Sequence, residues 1–178
     1  MRTPRRLGPP SGRGVVAFTH VRLRLVPLTL AGLLLTACSP GTVSIDEPDL
    51  GAADRAACEA LVEDLPDTLA GESRRSIQPD DALGAAWGDP AYVLTCGVPA
   101  PSGYEPTAAC NVIQGVGWYV PDDQLSDARV DATPIALSLM PSVQVQVPSR
   151  YRTEGIDRAL AELAPALRRH LGEGLSCL

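Results

Sequence analysis

Few residues of this chain can do chemistry, and their spacing limits what that chemistry is. After Cys38 there is one histidine, His170, which follows Arg168 and Arg169. There it reads as a cation at the carbonyl end of a helix macrodipole rather than a general base. A Ser–His–Asp relay would have to recruit His170, and no GxSxG elbow presents a serine to it. Lysine is absent, which excludes Schiff-base chemistry and a phosphate-loop lysine. The acid pairs Asp80-Asp81 and Asp122-Asp123 lack the spacing of a calcium loop and read as solvated loops. No catalytic set, metal site or cofactor is expected. The pattern best suited to binding is Trp87-Gly88-Asp89-Pro90, with Arg74-Arg75 upstream. An indole ring beside guanidinium groups suits a carboxylate or phosphate. In the structural alternative, Trp87 plugs the core edge, Asp89 caps a turn, and the arginines offset acidic charge.

The cysteines define a second kind of chemistry. Residues 25–37, LVPLTLAGLLLTA, form an apolar run shorter than the roughly 20 residues of a bilayer-spanning helix. Val21-Arg22-Leu23-Arg24 precedes it, and Leu35-Thr36-Ala37-Cys38 ends it, so the run reads as a signal-peptide core. The last four residues resemble a bacterial lipobox, which implies cleavage before Cys38 and a diacylglycerol on its sulfur. Residues 1–37 are then a lipoprotein signal peptide; starting at Val21 would leave the same mature chain. The protein is expected to be exported and anchored by this lipid to the outer face of the cytoplasmic membrane. Residues 38–51 read as a flexible tether, and 52–178 as one domain, large enough for its own core. Four further cysteines, Cys58, Cys96, Cys110 and Cys177, predict two disulfides in an exported domain. Counting alone leaves three connectivities open. No CxxC spacing supports zinc or redox use.

The charge balance narrows the partners. Six of the 15 arginines precede position 25, whereas all 21 acids follow position 45. The chain after Cys38 thus sets nine arginines against 21 acids, a charge of −12, and repels nucleic acid. Aromatics are only 4%, too few for an aromatic-lined carbohydrate platform.

The positioning elements follow from periodicity. Ala57, Leu61 and Leu65 step by four within 53–70, which predicts a helix bearing Cys58 on or beside its buried face and ended or kinked by Pro66. Residues 71–90 read as loop. Ala91–Val98 reads as a central strand, and 110–120 as a second strand bulged at Gly115 and Gly117. Residues 135–140 suggest a third. Val143, Val145 and Val147 alternate with Gln144 and Gln146, which predicts a strand with one buried face. Ile156, Leu160, Leu163, Leu167 and Leu171 predict a helix over 154–172, kinked or divided at Pro165. The expected class is α+β: a small antiparallel sheet flanked by an N-terminal and a C-terminal helix and stapled by two disulfides.

An ordered set of blocks carries a family resemblance: Ala57-Cys58-Glu59-Ala60-Leu61, Arg74-Arg75, Ala86-Trp87-Gly88-Asp89-Pro90, Leu94-Thr95-Cys96-Gly97-Val98-Pro99, Gly115-Val116-Gly117-Trp118 and Val143–Pro148. Together these resemble the actinobacterial DUF3515 family of small exported proteins and lipoproteins. The chain departs from it at Gln114, where members more often have Asn. The resemblance implies the disulfides Cys58–Cys96 and Cys110–Cys177; the rival pairing is Cys96–Cys110 with Cys58–Cys177. It implies no reaction. The expected function is therefore a non-enzymatic binding or scaffolding module of the envelope. Its partners would be the membrane, through the lipid, and an envelope protein or cell-wall ligand. The alternatives are a hydrolase acting on wall or lipid substrates through paired carboxylates, and a small-ligand carrier.

Overall fold

In the computed structural model, residues 41–46, 48–102, 104–105, 108, 110–153 and 156–175 are described. The leucine stripe forms α1 (Ala52–Glu63), which buries Cys58 and Leu61. Asp54 lies in its first turn, where a carboxylate complements the helix dipole. The helix stops before Pro66, shorter than expected.

Residues 71–90, expected as loop, hold short strands instead. β1 (Val43–Ser44) pairs in parallel with β4 (Ile77–Gln78). β2 (Thr68–Leu69) and β3 (Glu72–Ser73) form a hairpin. β5 (Gly84–Trp87) pairs antiparallel with β6 (Tyr92–Cys96). Residues 110–120 also differ from expectation. They form not one bulged strand but a hairpin of β7 (Asn111–Ile113) and β8 (Val116–Tyr119). Its two-residue turn is Gln114-Gly115, with φ of 49° and 79°. Two positive φ values are what such a turn needs to match the strand twist.

A short α2 (Asp122–Ser126) leads to β9 (Ile135–Ala136), β10 (Leu139–Met140) and β11 (Val143–Gln146). After α3 (Ser149–Arg152), α4 (Asp157–His170) runs as one helix through Pro165, and β12 (Gly172–Glu173) pairs with β10. The main sheet has the order β5-β6-β11-β9-β8-β7, antiparallel throughout. The protein is thus a mixed helix-and-sheet fold with an antiparallel sheet and, among the described residues, four helices. No helix among these residues is long and apolar enough to cross a membrane.

Alternation gives this sheet two unlike faces. Tyr92, Leu94 and Cys96 of β6 and Val143 and Val145 of β11 are buried. They join Leu61 of α1 and Leu160, Leu163 and Leu167 of α4 in one core. The Cys58–Cys96 disulfide ties α1 to β6 across this core, in agreement with the pairing that the resemblance implies. Cys110 is also disulfide-bonded. Cys38 and Cys177 lie outside the described residues, as does the signal peptide.

The opposite face carries Val93, Thr95, Gln144 and Gln146. It is overhung by Ser44, Ile45, Asp46 and Pro48, part of the stretch expected as a tether. Here the chain packs instead: Val43 and Ile45 donate N–H bonds to Ser76 and Gln78 carbonyls at 2.9 Å, and Ile45 is buried. The isolated Val43 and Ile45 were too short an apolar signal to outweigh the surrounding Pro, Gly and acids.

Candidate functional site

The fold brings the four sequence-predicted residues together around the turn at 87–90. Residues 73–75 cover the free side of β5: Arg75 N–H donates to Ala86 O at 2.8 Å, and Gly88 N–H to Ser73 O at 3.0 Å. This register places Arg74 over the Trp87 ring, 5.7 Å from its centroid, within cation–π range. Trp87 itself is wholly buried, and its Nε1–H donates to Pro66 O at 2.9 Å. The Arg74 guanidinium donates to Leu65 O at 3.1 Å and Val62 O at 3.3 Å. Arginine and indole together take up the carbonyls at the end of α1, where positive charge also suits the dipole.

Arg75 points the other way. It donates to Gly88 O at 2.5 Å and to Gly41 O, and stands 3.9 Å from the Asp89 carboxylate. Asp89 is mostly exposed and precedes the cis bond to Pro90. Gly88 has φ +79°, and a Cβ there would lie 2.9 Å from both Glu72 Cγ and Tyr151 Oη, so only glycine fits. Sequence reasoning missed two members of this cluster. Arg150 donates to Asp89 O at 3.2 Å, and Tyr151 stacks on Tyr92 with centroids 4.5 Å apart. Burial, and then the Glu72 charge, push the Tyr151 phenol above its usual pKa. No sequence signal joins 150–151 to 87–90, because six strands, β6 to β11, and the short α2 lie between them.

His170 sits at the end of α4 as expected, but its partner is a carboxylate rather than only the helix end. Its Nε2 is 3.0 Å from Asp64 Oδ2, which Arg169 also contacts. The His170 hydrogen bond, reinforced by Arg169, holds the Asp64 carboxyl below the usual range. The pair clamps the end of α1 to the end of α4.

Depressions also open on the surface, one of them about 510 Å³ beside the β7–β8 turn and lined by Gly115, Ser138, Arg168 and Glu173 among others. On the outer sheet face, a trough of about 350 Å³ is lined by Ser44, Asp46, Thr95, Gln144 and Gln146 among aliphatic residues. On the β7–β8 side lies a cavity of about 290 Å³ bordered by Trp118 and Arg152. No cluster of three or more metal-ligating side chains occurs among the described residues.

Helix pair, disulfide and antiparallel sheet define a small mixed α and β domain whose arginines are bound largely to its own backbone carbonyls. The family model described as "Protein of unknown function (DUF3515)" matches residues 18–174, and the chain belongs to that family. No curated protein and no solved structure matches it.

Proposed function

We propose that this protein is an exported, lipid-anchored envelope module that binds or scaffolds a partner and catalyses no reaction. One observation carries the reading. The side chains that could do chemistry are committed to the fold, whereas those of the outer trough are not. Arg74 and Arg75 hold backbone carbonyls, and His170 holds Asp64. Thr95 and Gln144 stand opposite one another in register on β6 and β11, as do Val93 and Gln146. The hydroxyl and the two carboxamides open into the trough, free to bond a partner.

The lipobox at Leu35–Cys38 supports the anchor. Ser44, on the trough rim, follows Cys38 by six residues, at most about 20 Å of extended chain. A lipidated Cys38 would therefore hold the trough close to the bilayer surface. For the staples, we infer Cys110–Cys177 as the second disulfide: Cys58 and Cys96 pair with each other, and Cys38 is assigned to lipid. We also read α1 and α4 as the two helices flanking the sheet on its buried face, since both supply side chains to the core beneath it.

The test is recovery of the tethered protein from its own membranes, with mass spectrometry of co-purifying proteins and lipids. Wild type should carry labelled fatty acid, and Cys38→Ala should carry none. A partner recovered with wild type should be lost with Gln144→Ala/Gln146→Ala. Label that enters Cys38→Ala, or never enters wild type, overturns the anchor. A partner retained by the double variant overturns the trough as the binding face.

A further inference from the structure

Two buried N–H groups near the β7–β8 hairpin have no acceptor. Trp118 is wholly buried on β8, yet its Nε1–H makes no hydrogen bond; Arg152 Nε–H is likewise buried and unpaired. Buried donors in native proteins are almost always satisfied, so an orphan asks for a partner. Here two residues with orphaned donors border the same cavity. Its walls are otherwise mainly apolar, including Ile113, Val120, Leu125 and Leu160.

The donors are also held firmly. Arg152 Nη1 donates to Asp127 O at 2.6 Å and Val130 O at 2.9 Å, and Nη2 to Gln124 O at 2.5 Å. Three carbonyls thus fix the guanidinium through Nη1 and Nη2 and leave Nε as the nitrogen without an acceptor. They also supply no formal charge to balance it. Trp118 is fixed by β8 pairing with β7 on one side and β9 on the other. A ligand meeting these groups would lose little to side-chain ordering, because the ordering is already done.

We propose that this cavity binds a small apolar carboxylate. The carboxylate oxygens accept from Trp118 Nε1–H and Arg152 Nε–H, and the hydrocarbon body lies against Ile113, Val120, Leu125 and Leu160. A carboxylate fits better than a neutral carbonyl because Nε–H belongs to a cation and a charge-assisted hydrogen bond is the stronger kind; the nearby Asp127 carboxylate feels this charge but is itself held by Arg129. A lone water would leave the apolar walls unfilled, whereas a ligand with a hydrocarbon body covers them. Asp157, also on the lining, is exposed in the first turn of α4 and opposes an anion on that side, which directs the head toward Arg152. Leu125 is half exposed, and with Asn111 and Asp157 it makes up the exposed part of the lining. The site is distinct from the outer trough, and this inference does not depend on export or lipidation.

The test uses the purified full-length protein labelled with ¹⁵N. Its two tryptophans give two indole N–H signals. That of Trp87, bonded to Pro66 O, serves as an internal reference. Titration with octanoate and with 3-phenylpropanoate should move the Trp118 signal saturably and leave the Trp87 signal in place. Octanol and octylamine should bind at least about tenfold more weakly, the worth of one charge-assisted hydrogen bond. A domain of charge −12 repels anions in general, so a preference for the anion has to come from local donors. Trp118→Phe removes one donor and keeps the ring, and should weaken octanoate binding several-fold, read by the ligand-induced rise in melting temperature. Arg152→Lys keeps the charge but removes Nε from its place and should weaken binding further. If neither carboxylate moves the Trp118 signal, or if octanol binds as tightly as octanoate, the proposal fails. It fails too if Trp118→Phe, still folded by its Trp87 signal, binds octanoate as wild type does.

Discussion

Trp87 and Trp118 are the two largest buried side chains of the protein, and both are fully shielded from solvent. They differ in what meets the indole nitrogen. At Trp87 a carbonyl accepts the N–H and an arginine covers the ring, so every bonding surface of the side chain is matched from within the chain. At Trp118 the same N–H faces no acceptor. Burial alone therefore does not separate a packing residue from a binding residue; the pairing of the polar atom does. The 87–90 turn attracts attention in the sequence because Trp, Asp and Arg cluster there. In space its Trp and both its Arg are occupied in holding α1, β5 and the 41–45 segment together.

The largest expected effect lies on the satisfied side. Trp87→Ala should cost about 3–5 kcal/mol, from lost burial and the cavity left behind, measured by urea unfolding. The sharper test removes only the nitrogen. Trp87→Phe leaves the Pro66 carbonyl without its donor and should cost about 1–3 kcal/mol. Trp118→Phe deletes a donor that has no partner, so its smaller packing loss is partly offset, and it should stay within about 1 kcal/mol of wild type. Equal losses for the two Phe variants would mean that the nitrogen at Trp118 is satisfied in solution, and the contrast between the two regions would disappear.

Much of the fold could be read from the sequence because its signals are local. Val143–Val147 alternates over a full strand, the leucine steps of both long helices are regular, and Cys58–Cys96 pairs as the resemblance implies. What escaped reading is short or assembled across distance. β5, Gly-Ala-Ala-Trp, is buried at every residue and so has no alternation to detect. The β7–β8 turn was hidden because Gln is an unusual residue at positive φ, so one hairpin read as a bulged strand. The 290 Å³ cavity draws on 111–125, 152 and 156–160, segments that only tertiary folding unites. Of the candidate residues, Arg74, Arg75, Trp87 and Asp89 do meet in space, but proximity in sequence did not reveal that the arginines would be bound to carbonyls.

A third, smaller effect probes the charged edge of the Trp87 region. Asp64 caps α1, and His170 and Arg169 lower its pKa from the ordinary 3.8. A carboxyl whose folded pKa is depressed stabilises the fold above its unfolded pKa, and that contribution is lost as pH falls through the lower folded value. Stability of the wild type should therefore decline on acidification below pH 3.8 more steeply than that of Asp64→Asn, and the two urea-midpoint curves should converge there. Parallel curves through that window would mean that the clamp between the ends of α1 and α4 contributes nothing through charge.

The smallest expected effect is on the Trp118 side and runs toward greater stability. Gln114 occupies the first position of the β7–β8 turn with φ 49°, in the left-handed region that costs most side chains about 1–2 kcal/mol. Asparagine tolerates this region better because its short amide bonds the local backbone, and Asn-Gly is the favoured pair for such a turn. Gln114→Asn should thus raise stability by about 0.5 kcal/mol, near the resolution of a urea titration. Hydrogen exchange is the more discriminating readout. Trp118 pairs in register with Asn111 across the hairpin, so a tighter turn should slow exchange in β7 and β8 while β5 and β6 keep their wild-type rates. Slower exchange throughout the sheet would mean that hairpin and Trp87 region open as one unit. Slower exchange confined to β7 and β8 would mean that the hairpin carrying the unpaired indole opens on its own, at lower cost than the region around Trp87.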